Sequence, residues 1–322
     1  MTHSESRHNA AGARPRVLAL VGPTASGKSA IAMVLAEMLD GEIISADSRQ
    51  VYRFLNIGTA KPSVEDRRRI PHHFIDELTP DRDFDAGAFG VEARKRITEI
   101  LDRKRSPIVV GGSGLYVQSL IDGFFEGPGA DKAFRSRLEA MVEEGNVGEL
   151  ISQLAAVDPE TAATADPSKP RRIIRALEVF HLTGQPLSHH HSNRPVVIPF
   201  TPVLFGLAWE RRVLYERINA RCESMLHEGL LDEVDRLAGL GYTPLLNALN
   251  TVGYAEAFAF RQGEITYEEM VRLFKQNSRR YAKRQLTWFR RDPRIRWLNR
   301  DHSGDERKVA RSIMHHFQNE QT

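Results

Sequence analysis

The chain has 322 residues, of which 41% are hydrophobic and 27% charged, as is typical of a globular protein with a substantial core. Its 45 Lys and Arg exceed its 42 Asp and Glu by only three charges, so the placement of the basic residues matters more than their total. A single cysteine, Cys222, excludes an intrachain disulfide and favours a reducing compartment. No apolar run approaches the roughly 18 residues of a membrane span. We expect a cytoplasmic protein.

The first elements alternate between apolar runs and helical spacing. Residues 1–15 are polar and lack the apolar stretch of a secretory signal, so we interpret them as a disordered tail. Val17–Val21 is a short apolar run typical of a buried parallel strand, and Glu42–Asp47 predicts a second strand. Between them, Ser29–Leu39 has the spacing of a helix with one apolar face.

The alternation continues with a helix over Ala86–Arg105 and a buried strand over Pro107–Gly112. Strands that alternate with helices are typical of an α/β fold with a doubly wound parallel sheet. Residues 124–199 break the pattern, because residues 131–154 predict a helical but charged stretch and the chain after it is rich in turn residues such as Pro and Ser. We interpret this segment as a mainly helical insertion domain.

After the insertion the strand pattern resumes. Pro202–Leu207 predicts a buried strand, the following chain is largely helical, and Ile295–Leu298 predicts a late strand. The predicted organisation is therefore a core formed by residues 16–123 and 200–322, with a helical C-terminal part, interrupted by the insertion.

The turn after the first strand carries a phosphate-binding motif. Residues 22–29 read Gly-Pro-Thr-Ala-Ser-Gly-Lys-Ser and match G-x-x-x-x-G-K-[ST] between a strand and a helix. Glycines let backbone N–H groups converge on phosphate oxygens, Lys28 adds a charge, and the Ser29 hydroxyl can join a Mg²⁺ shell. We predict a P-loop NTPase-like core that binds a polyphosphate through Gly22, Pro23, Thr24, Ala25, Ser26, Gly27, Lys28 and Ser29.

Asp47 ends the second predicted strand, at the carboxyl edge where open α/β sheets bind ligands. A carboxylate there has the chemistry of a general base or of a Mg²⁺ ligand. The alternative is an Asp that only initiates a turn or caps a helix.

Thr266 to Arg291 predicts one long helix with a basic stripe. No Asp or Glu occurs between Arg272 and Arg291, so the stripe has no acidic partners within its own turns and favours a polyanionic partner. The alternative is a basic face whose charges form ion pairs with acidic residues elsewhere in the fold. The stripe consists of Arg272, Lys275, Arg279, Lys283 and Arg290, with Arg280, Arg284 and Arg291 beside it.

Residues 171–175, Arg-Arg-Ile-Ile-Arg, form a second basic cluster within the insertion. This cluster has the chemistry either of a lid over phosphates or of an RNA contact. The sequence contains a histidine pair at 72–73 and a histidine triplet at 189–191. Neither has an acid or cysteine at metal-ligand spacing, so we interpret them as turn and surface residues.

Taken in order, seven segments resemble the bacterial tRNA dimethylallyltransferase family, also called tRNA isopentenyltransferases. Any one of them after the P-loop is a weak signal, but the ordered set is highly specific. They are Gly-Pro-Thr-Ala-Ser-Gly-Lys-Ser at 22–29, Asp-Ser-Arg-Gln-Val-Tyr at 47–52, Asn-Ile-Gly-Thr-Ala-Lys-Pro at 56–62, Pro-His-His at 71–73, Gly-Gly-Ser-Gly-Leu-Tyr at 111–116, Arg-Ala-Leu-Glu-Val at 175–179 and Ala-Lys-Arg-Gln-Leu-Thr-Trp-Phe-Arg at 282–290.

The resemblance implies an enzyme that transfers a dimethylallyl group from dimethylallyl diphosphate to N6 of the adenosine at tRNA position 37. It implies Asp47 as the base for the N6 amine, with Thr24 near the bridging oxygen of the diphosphate and Arg217 on the same diphosphate. It also implies Mg²⁺ and recognition of the anticodon stem-loop. We expect no membrane partner and a monomer. The implied tRNA contacts are Asp47, Ser48, Arg49, Gln50, Ser113, Arg135, Arg171, Arg172, Ile173, Ile174, Arg175, Asn250, Thr251, Val252, Gly253, Tyr254, Ala255, Lys283, Arg284, Gln285, Leu286, Thr287, Trp288, Phe289 and Arg290.

Three positions depart from the family pattern. Ser113 replaces the usual Thr and keeps its hydroxyl, residues 166–168 read Asp-Pro-Ser instead of His-Pro-Asn, and Ala255 replaces a Lys. Two other functions remain open from the residues alone. A small-molecule kinase would share the P-loop and the acid after strand two, and an RNA-binding protein would use the P-loop only to sense a nucleotide.

Overall fold

The computed structural model describes residues 14–123, 129, 131–191, 197–300 and 305–319. The chain divides into two compact units, one comprising the chain up to Ile121 together with the chain from Ile198 onward, and the other Asp122–Val197. Most of the predicted tail lies outside the described residues. Pro15, however, belongs to the fold, because its carbonyl accepts a 2.8 Å hydrogen bond from the Thr201 N–H.

The larger unit contains a six-stranded sheet in the order β3-β2-β4-β1-β5-β6, in which every neighbouring pair is parallel. The α/β fold class predicted from the alternation is confirmed. The strands are β1 (Arg16–Val21), β2 (Gly41–Ser45), β3 (His72–His73), β4 (Ser106–Gly111), β5 (Thr201–Ala208) and β6 (Arg296–Asn299).

Helices pack against this sheet and form the smaller unit. They are α1 (Lys28–Leu39), α2 (Val64–Arg69), α3 (Ala86–Asp102), α4 (Gly114–Asp122), α5 (Lys132–Glu143), α6 (Val147–Val157), α7 (Pro159–Ala163), α8 (Pro170–Thr183), α9 (Leu187–His191), α10 (Arg211–His227), α11 (Leu230–Gly239), α12 (Tyr254–Arg261), α13 (Tyr267–Phe289) and α14 (Glu306–Asn319). Within the described residues, no helix combines the length and the apolar character that crossing a membrane requires.

The core of the larger unit explains why its strands were visible in the sequence. Leu18 and Leu20 of β1 pack with Ile31 and Leu35 of α1, and all four side chains are almost completely buried. Strands of a parallel sheet are buried on both faces, so they read as continuous apolar runs. The interpretation of His72–His73 as turn and surface residues is wrong, because they form β3 and the His73 Nε2 lies 2.6 Å from an oxygen of the buried Glu42.

The smaller unit packs short helices around its own core, which contains Leu138, Leu150 and Leu154. The helical stretch expected over residues 131–154 is broken into α5 and α6 at Gly145, whose φ is +84°. A residue at this φ stops a helix, and glycine adopts it without steric cost.

Two arginines of the smaller unit that were expected to contact tRNA are ion-paired. The carboxylate of Glu178 is completely buried and accepts from Arg135 and Arg175, each at 2.7 Å. Arg171 and Arg172 are exposed on the first turn of α8 and have no ion-pair partner among the described residues. From the sequence, all four arginines had the same predicted role. In the structure, the buried Glu178 pairs with two of them and leaves the other two exposed.

Candidate active site

The phosphate loop connects β1 to α1 and exposes backbone N–H groups at the carboxyl edge of the sheet. Gly22, Ala25 and Gly27 have φ values of +148°, +61° and +88°. The φ of Gly22 favours glycine, and a Cβ at this position would also lie in tight contact, 3.1 Å from the Leu207 carbonyl oxygen of β5. The Gly27 cap gives α1 no side-chain hydrogen bond, and the first N–H groups of the helix therefore stay available to an anion.

Side chains from distant parts of the chain hold this loop. The Thr24 N–H donates to Oε1 of Gln285 at 2.8 Å, and Nε2 of Gln285 donates to the Gly112 carbonyl at 3.0 Å. Gln285 is nearly buried, so it ties the loop to the end of β4. On another side, Nε1 of Trp209 donates to the Ser26 carbonyl at 3.0 Å. The loop is therefore held in a preformed shape.

Lys28 sits at the start of α1 with its Nζ donating to the Pro23 carbonyl at 2.6 Å. Burial, and after it the positive charge of Arg221, lowers the pKa of Lys28 to about 7, while Asp47 acts in the opposite direction. An ammonium group held at such a site is only partly protonated near neutral pH. A bound anion would favour its charged form.

Asp47 follows β2 at the same edge of the sheet. Its Oδ1 accepts from the Arg49 N–H at 2.9 Å, and its second oxygen has no hydrogen-bond partner in the described part of the chain. The neighbouring Ser48 N–H donates to Oγ of Ser113 at 3.0 Å. Asp47 thus stabilises its own turn with one oxygen and keeps the other available for chemistry.

A cavity of about 220 Å³ joins these groups. Thr24, Lys28 and Ser29 line it from the phosphate loop, and Asp47 lines it from the end of β2. The residues that follow Asp47, from Ser48 to Gln50, also face the cavity. The structure therefore brings the phosphate motif and the strand-two acid into one cavity.

Two helices close the cavity with residues at helical spacing. α10 contributes a face at positions i, i+3, i+4 and i+7, and α13 contributes another at i, i+4, i+7 and i+11, so each set lies on one side of its helix. From α10 these residues are Ile218, Arg221, Cys222 and Met225, and from α13 they are Phe274, Ser278, Tyr281 and Gln285.

The cavity wall is divided between apolar and polar groups. Ile218, Cys222, Met225 and Phe274 are all at most 7% exposed and form an apolar surface. Tyr281 lies on the polar side, where burial raises the pKa of its phenol to about 12, Asp47 acts in the same direction, and Ser113 opposes the shift. The phenol is therefore neutral at physiological pH and keeps its O–H as a donor.

Glu233 of α11 fixes the loop that forms another side of the cavity. Its buried carboxylate accepts from the N–H groups of Asn56, Ile57 and Gly58 at 2.9 to 3.1 Å and from the Tyr254 hydroxyl at 2.6 Å. A Cβ on Gly58 would lie 2.6 Å from the Tyr254 ring, so this glycine permits the close approach. The segment 56–62 is therefore positioned by a residue that sequence reasoning missed.

Comparison with known proteins identifies the family. The IPP transferase family model matches residues 50–292. The chain belongs to the IPP transferase family. A tRNA dimethylallyltransferase of Geobacter sulfurreducens is 46% identical over 291 residues, which cover 90% of this chain and 94% of that protein. One from Pelotomaculum thermopropionicum is 44% identical over 298 residues, covering 92% and 95%.

Solved structures of IPP transferases agree with this assignment. The tRNA isopentenylpyrophosphate transferase of Bacillus halodurans matches with a TM-score of 0.69 at 40% identity, covering 94% of this chain and 97% of that one. A eukaryotic dimethylallyltransferase acting on tRNA matches with a TM-score of 0.78 at 27% identity, covering 93% and 78%. The family inferred from the ordered motifs is confirmed.

Within this IPP transferase, the predicted diphosphate ligand Arg217 contacts the phosphate loop and is not among the described residues that line the cavity. Its Nε donates to the Ala25 carbonyl at 2.9 Å, and its guanidinium stacks 4.5 Å from the Trp209 ring centroid. One turn further along α10, Arg221 lines the cavity and makes no hydrogen bond or ion pair with the described residues. Its spacing of four residues from Arg217 on one helix was the signal available in the sequence.

Some residues expected to touch tRNA are buried. Ile173, Ile174, Tyr254 and Phe289 are at most 4% exposed, so their side chains support the fold and are not surface contacts. Trp288 is half-buried, and a Cβ on Gly114 would lie 2.2 Å from its indole ring. Trp288 therefore packs closely against Gly114.

The basic stripe of α13 separates into two halves. In the first half, Arg272 pairs with Glu269 at 2.6 Å and Lys275 pairs with Glu223 of α10. In the second half, Lys283 and Arg290 are exposed and have no partner anywhere in the described ranges. The prediction that the whole stripe is unpaired is therefore wrong for its first half, where Glu269 and Glu223 form ion pairs with the basic residues.

Proposed function

We propose that this IPP transferase moves the dimethylallyl group of dimethylallyl diphosphate to N6 of the adenosine at tRNA position 37 and releases diphosphate. One observation carries the proposal: the Lys28 ammonium and the Asp47 carboxylate line one cavity of about 220 Å³ that also has an apolar wall. Relatives that are 44–47% identical carry the name tRNA dimethylallyltransferase. A nucleotide kinase would need no apolar wall beside its phosphates.

The diphosphate belongs at the phosphate loop. Lys28 and the amides at the start of α1 would hold its oxygens, with the Thr24 hydroxyl near the bridging oxygen. Arg221 faces the same space and would add a second full charge. These groups stabilise the negative charge that develops as the allylic C–O bond breaks.

The residues present also suit Mg²⁺. Ser29 lines the cavity, and its hydroxyl has no hydrogen-bond partner among the described residues, so it is available as a hard oxygen ligand beside phosphate oxygens. When bound there, Mg²⁺ would neutralise part of the charge of the leaving diphosphate.

The acceptor adenine belongs between the polar side of the cavity and Asp47. The N6 lone pair forms the new bond to C1 of the allyl group, while the C1–O bond breaks and its electron pair leaves on the diphosphate. The N6 proton passes to the free oxygen of Asp47, so charge and protons balance. Because the N6 lone pair is delocalised into the ring, removal of this proton as the bond forms raises the rate by about 10²–10⁴.

The target base must leave its stack to reach the cavity. The exposed, unpaired cations at the end of α13 have the chemistry to hold the phosphates of an anticodon stem-loop. Lys283 and Arg290 are the strongest candidates on this helix, with Arg171 and Arg172 in the smaller unit. A monomer in the cytoplasm is part of the proposal.

One assay tests the function. Unmodified tRNA is incubated with the protein, Mg²⁺ and either dimethylallyl diphosphate or ATP, and its nucleosides are then separated and weighed by mass spectrometry. We expect dimethylallyl-adenosine only with the prenyl donor. ATP turnover without this product would favour a kinase, and tRNA binding without either reaction would favour an RNA-binding protein.

A further inference from the structure

A second cavity, of about 620 Å³, adjoins the site of the proposed reaction. Phe54, Ile57 and Val64 contribute apolar surface to it, and charged side chains surround that surface: Arg53, Lys61, Arg67, Asp76 and Glu228. Both cavities belong to the larger unit of the protein. The second cavity contains neither a phosphate loop nor a residue assigned above to the reaction, except where it meets the first.

Four residues line both cavities and therefore form the partition between them: Ala60, Pro62, Arg221 and Met225. Ala60 and Pro62 belong to the loop that Glu233 fixes through the backbone, so their position depends little on their side chains. Arg221 is assigned above to the diphosphate. Met225 is the partition residue with a long, uncharged and replaceable side chain.

Met225 also ends the apolar face of α10. Ile218, Cys222 and Met225 follow one another at helical spacing, and Met225 is 7% exposed. Ile218 and Cys222 line the first cavity alone, whereas Met225 reaches both. An allyl chain that runs along this face from a diphosphate at Lys28 would meet Met225 last.

We propose that Met225 sets the chain length of the prenyl donor by closing the apolar end of the cavity, which limits the enzyme to a five-carbon group. This inference rests on the proposed function. A ten-carbon donor such as geranyl diphosphate reacts by the same balanced step, in which N6 bonds to C1, the diphosphate leaves with the C–O electron pair and Asp47 takes the proton. Its additional five carbons need the space beyond Met225.

The test compares two donors with one tRNA. The wild-type protein, Met225→Ala and Met225→Val are assayed with dimethylallyl diphosphate and with geranyl diphosphate, and the prenylated adenosines are quantified by mass spectrometry. We expect the ratio of kcat/KM for the ten-carbon donor to that for the five-carbon donor to rise at least about tenfold in Met225→Ala. Met225→Val removes less volume and should give a smaller rise.

Cys222→Ala is the matched control, because Cys222 lies one turn before Met225, is 3% exposed and lines only the first cavity. It should change the donor ratio less than about threefold. Thermal melting and tRNA binding of each variant show that the fold is intact.

Normal dimethylallyl transfer with an unchanged ratio in both Met225 variants would overturn the inference and leave the proposed function standing. Equal use of both donors by the wild-type protein would overturn it too. Absence of dimethylallyl transfer by the wild-type protein would instead overturn the proposed function, and the inference with it.

Discussion

Two walls of the same cavity are built in different ways. The phosphate loop is eight consecutive residues with positive φ at Gly22, Ala25 and Gly27, and Thr24, Lys28 and Ser29 of this loop line the cavity. The wall formed by α10 and α13 is made of eight side chains spread between Ile218 and Gln285. The first needs a fixed string of residues because its backbone conformation is unusual, whereas the second needs only suitable shapes at helical spacing. Short motifs therefore reveal the first wall and not the second.

The largest effect is expected at Asp47, which stands opposite the phosphate loop. Asp47→Asn keeps the shape and the hydrogen bond from Arg49 but cannot accept a proton, so kcat should fall by about 10²–10⁴ while tRNA binding changes little. Single-turnover kinetics and a tRNA binding assay measure the two quantities. Near-normal turnover would remove Asp47 from its role as base.

A smaller effect should distinguish two arginines of α10. Arg221→Ala removes a charged group from the cavity and should raise the KM for dimethylallyl diphosphate by about 10- to 100-fold, because hydrogen bonds to charged groups contribute about 1.5–3 kcal/mol. Arg217→Ala should change this KM less and should lower the melting temperature, because Arg217 donates a hydrogen bond to the Ala25 carbonyl of the loop and stacks on Trp209. A larger KM effect at Arg217 would restore it as the diphosphate ligand.

The two halves of α13 offer a comparison on one helix. Lys283→Ala with Arg290→Ala should weaken tRNA binding by about tenfold and reduce the slope of log K against log salt by about two. Arg272→Ala with Lys275→Ala removes the same charge from the paired half and should leave the slope almost unchanged. If the two double variants weakened tRNA binding equally, binding would depend on the net charge of the protein and not on the position of the cations along α13.

The smallest expected effect is the uptake of part of a proton by Lys28 when diphosphate binds. The pKa of Lys28 is about 7 in the free protein, and a bound diphosphate would favour the ammonium form and raise it. Binding should therefore take up about half a proton at residue 28 at pH 7, and affinity should be constant well below pH 7 and decline above it. Calorimetry in two buffers of different ionisation enthalpy measures the uptake. Lys28→Arg, which stays charged, should lose it.

Features that depend on neighbouring residues in the chain could be predicted from the sequence, and features that depend on distant contacts could not. The phosphate loop, the flanking strand and helix, and Asp47 at the end of the next strand were all visible, because each depends on neighbours in the chain. The short edge strand β3 was missed because two histidines carry no strand pattern, and its position depends on pairing with Ile43 and Ile44 of β2. The break at Gly145 was missed because one glycine in a charged helical stretch is a weak signal.

The amino-acid sequence alone determined the α/β class and the phosphate-binding loop, since these follow from contiguous patterns of hydrophobicity and backbone geometry. It indicated the family through the resemblance of seven ordered segments. The tertiary structure decided that Arg221, and not Arg217, faces the cavity and that Met225 divides the two cavities. It also decided which half of the α13 stripe is paired, because Glu223 comes from another helix. These outcomes depend on contacts between residues far apart in the chain, and no local pattern encodes which side of a helix meets which neighbour.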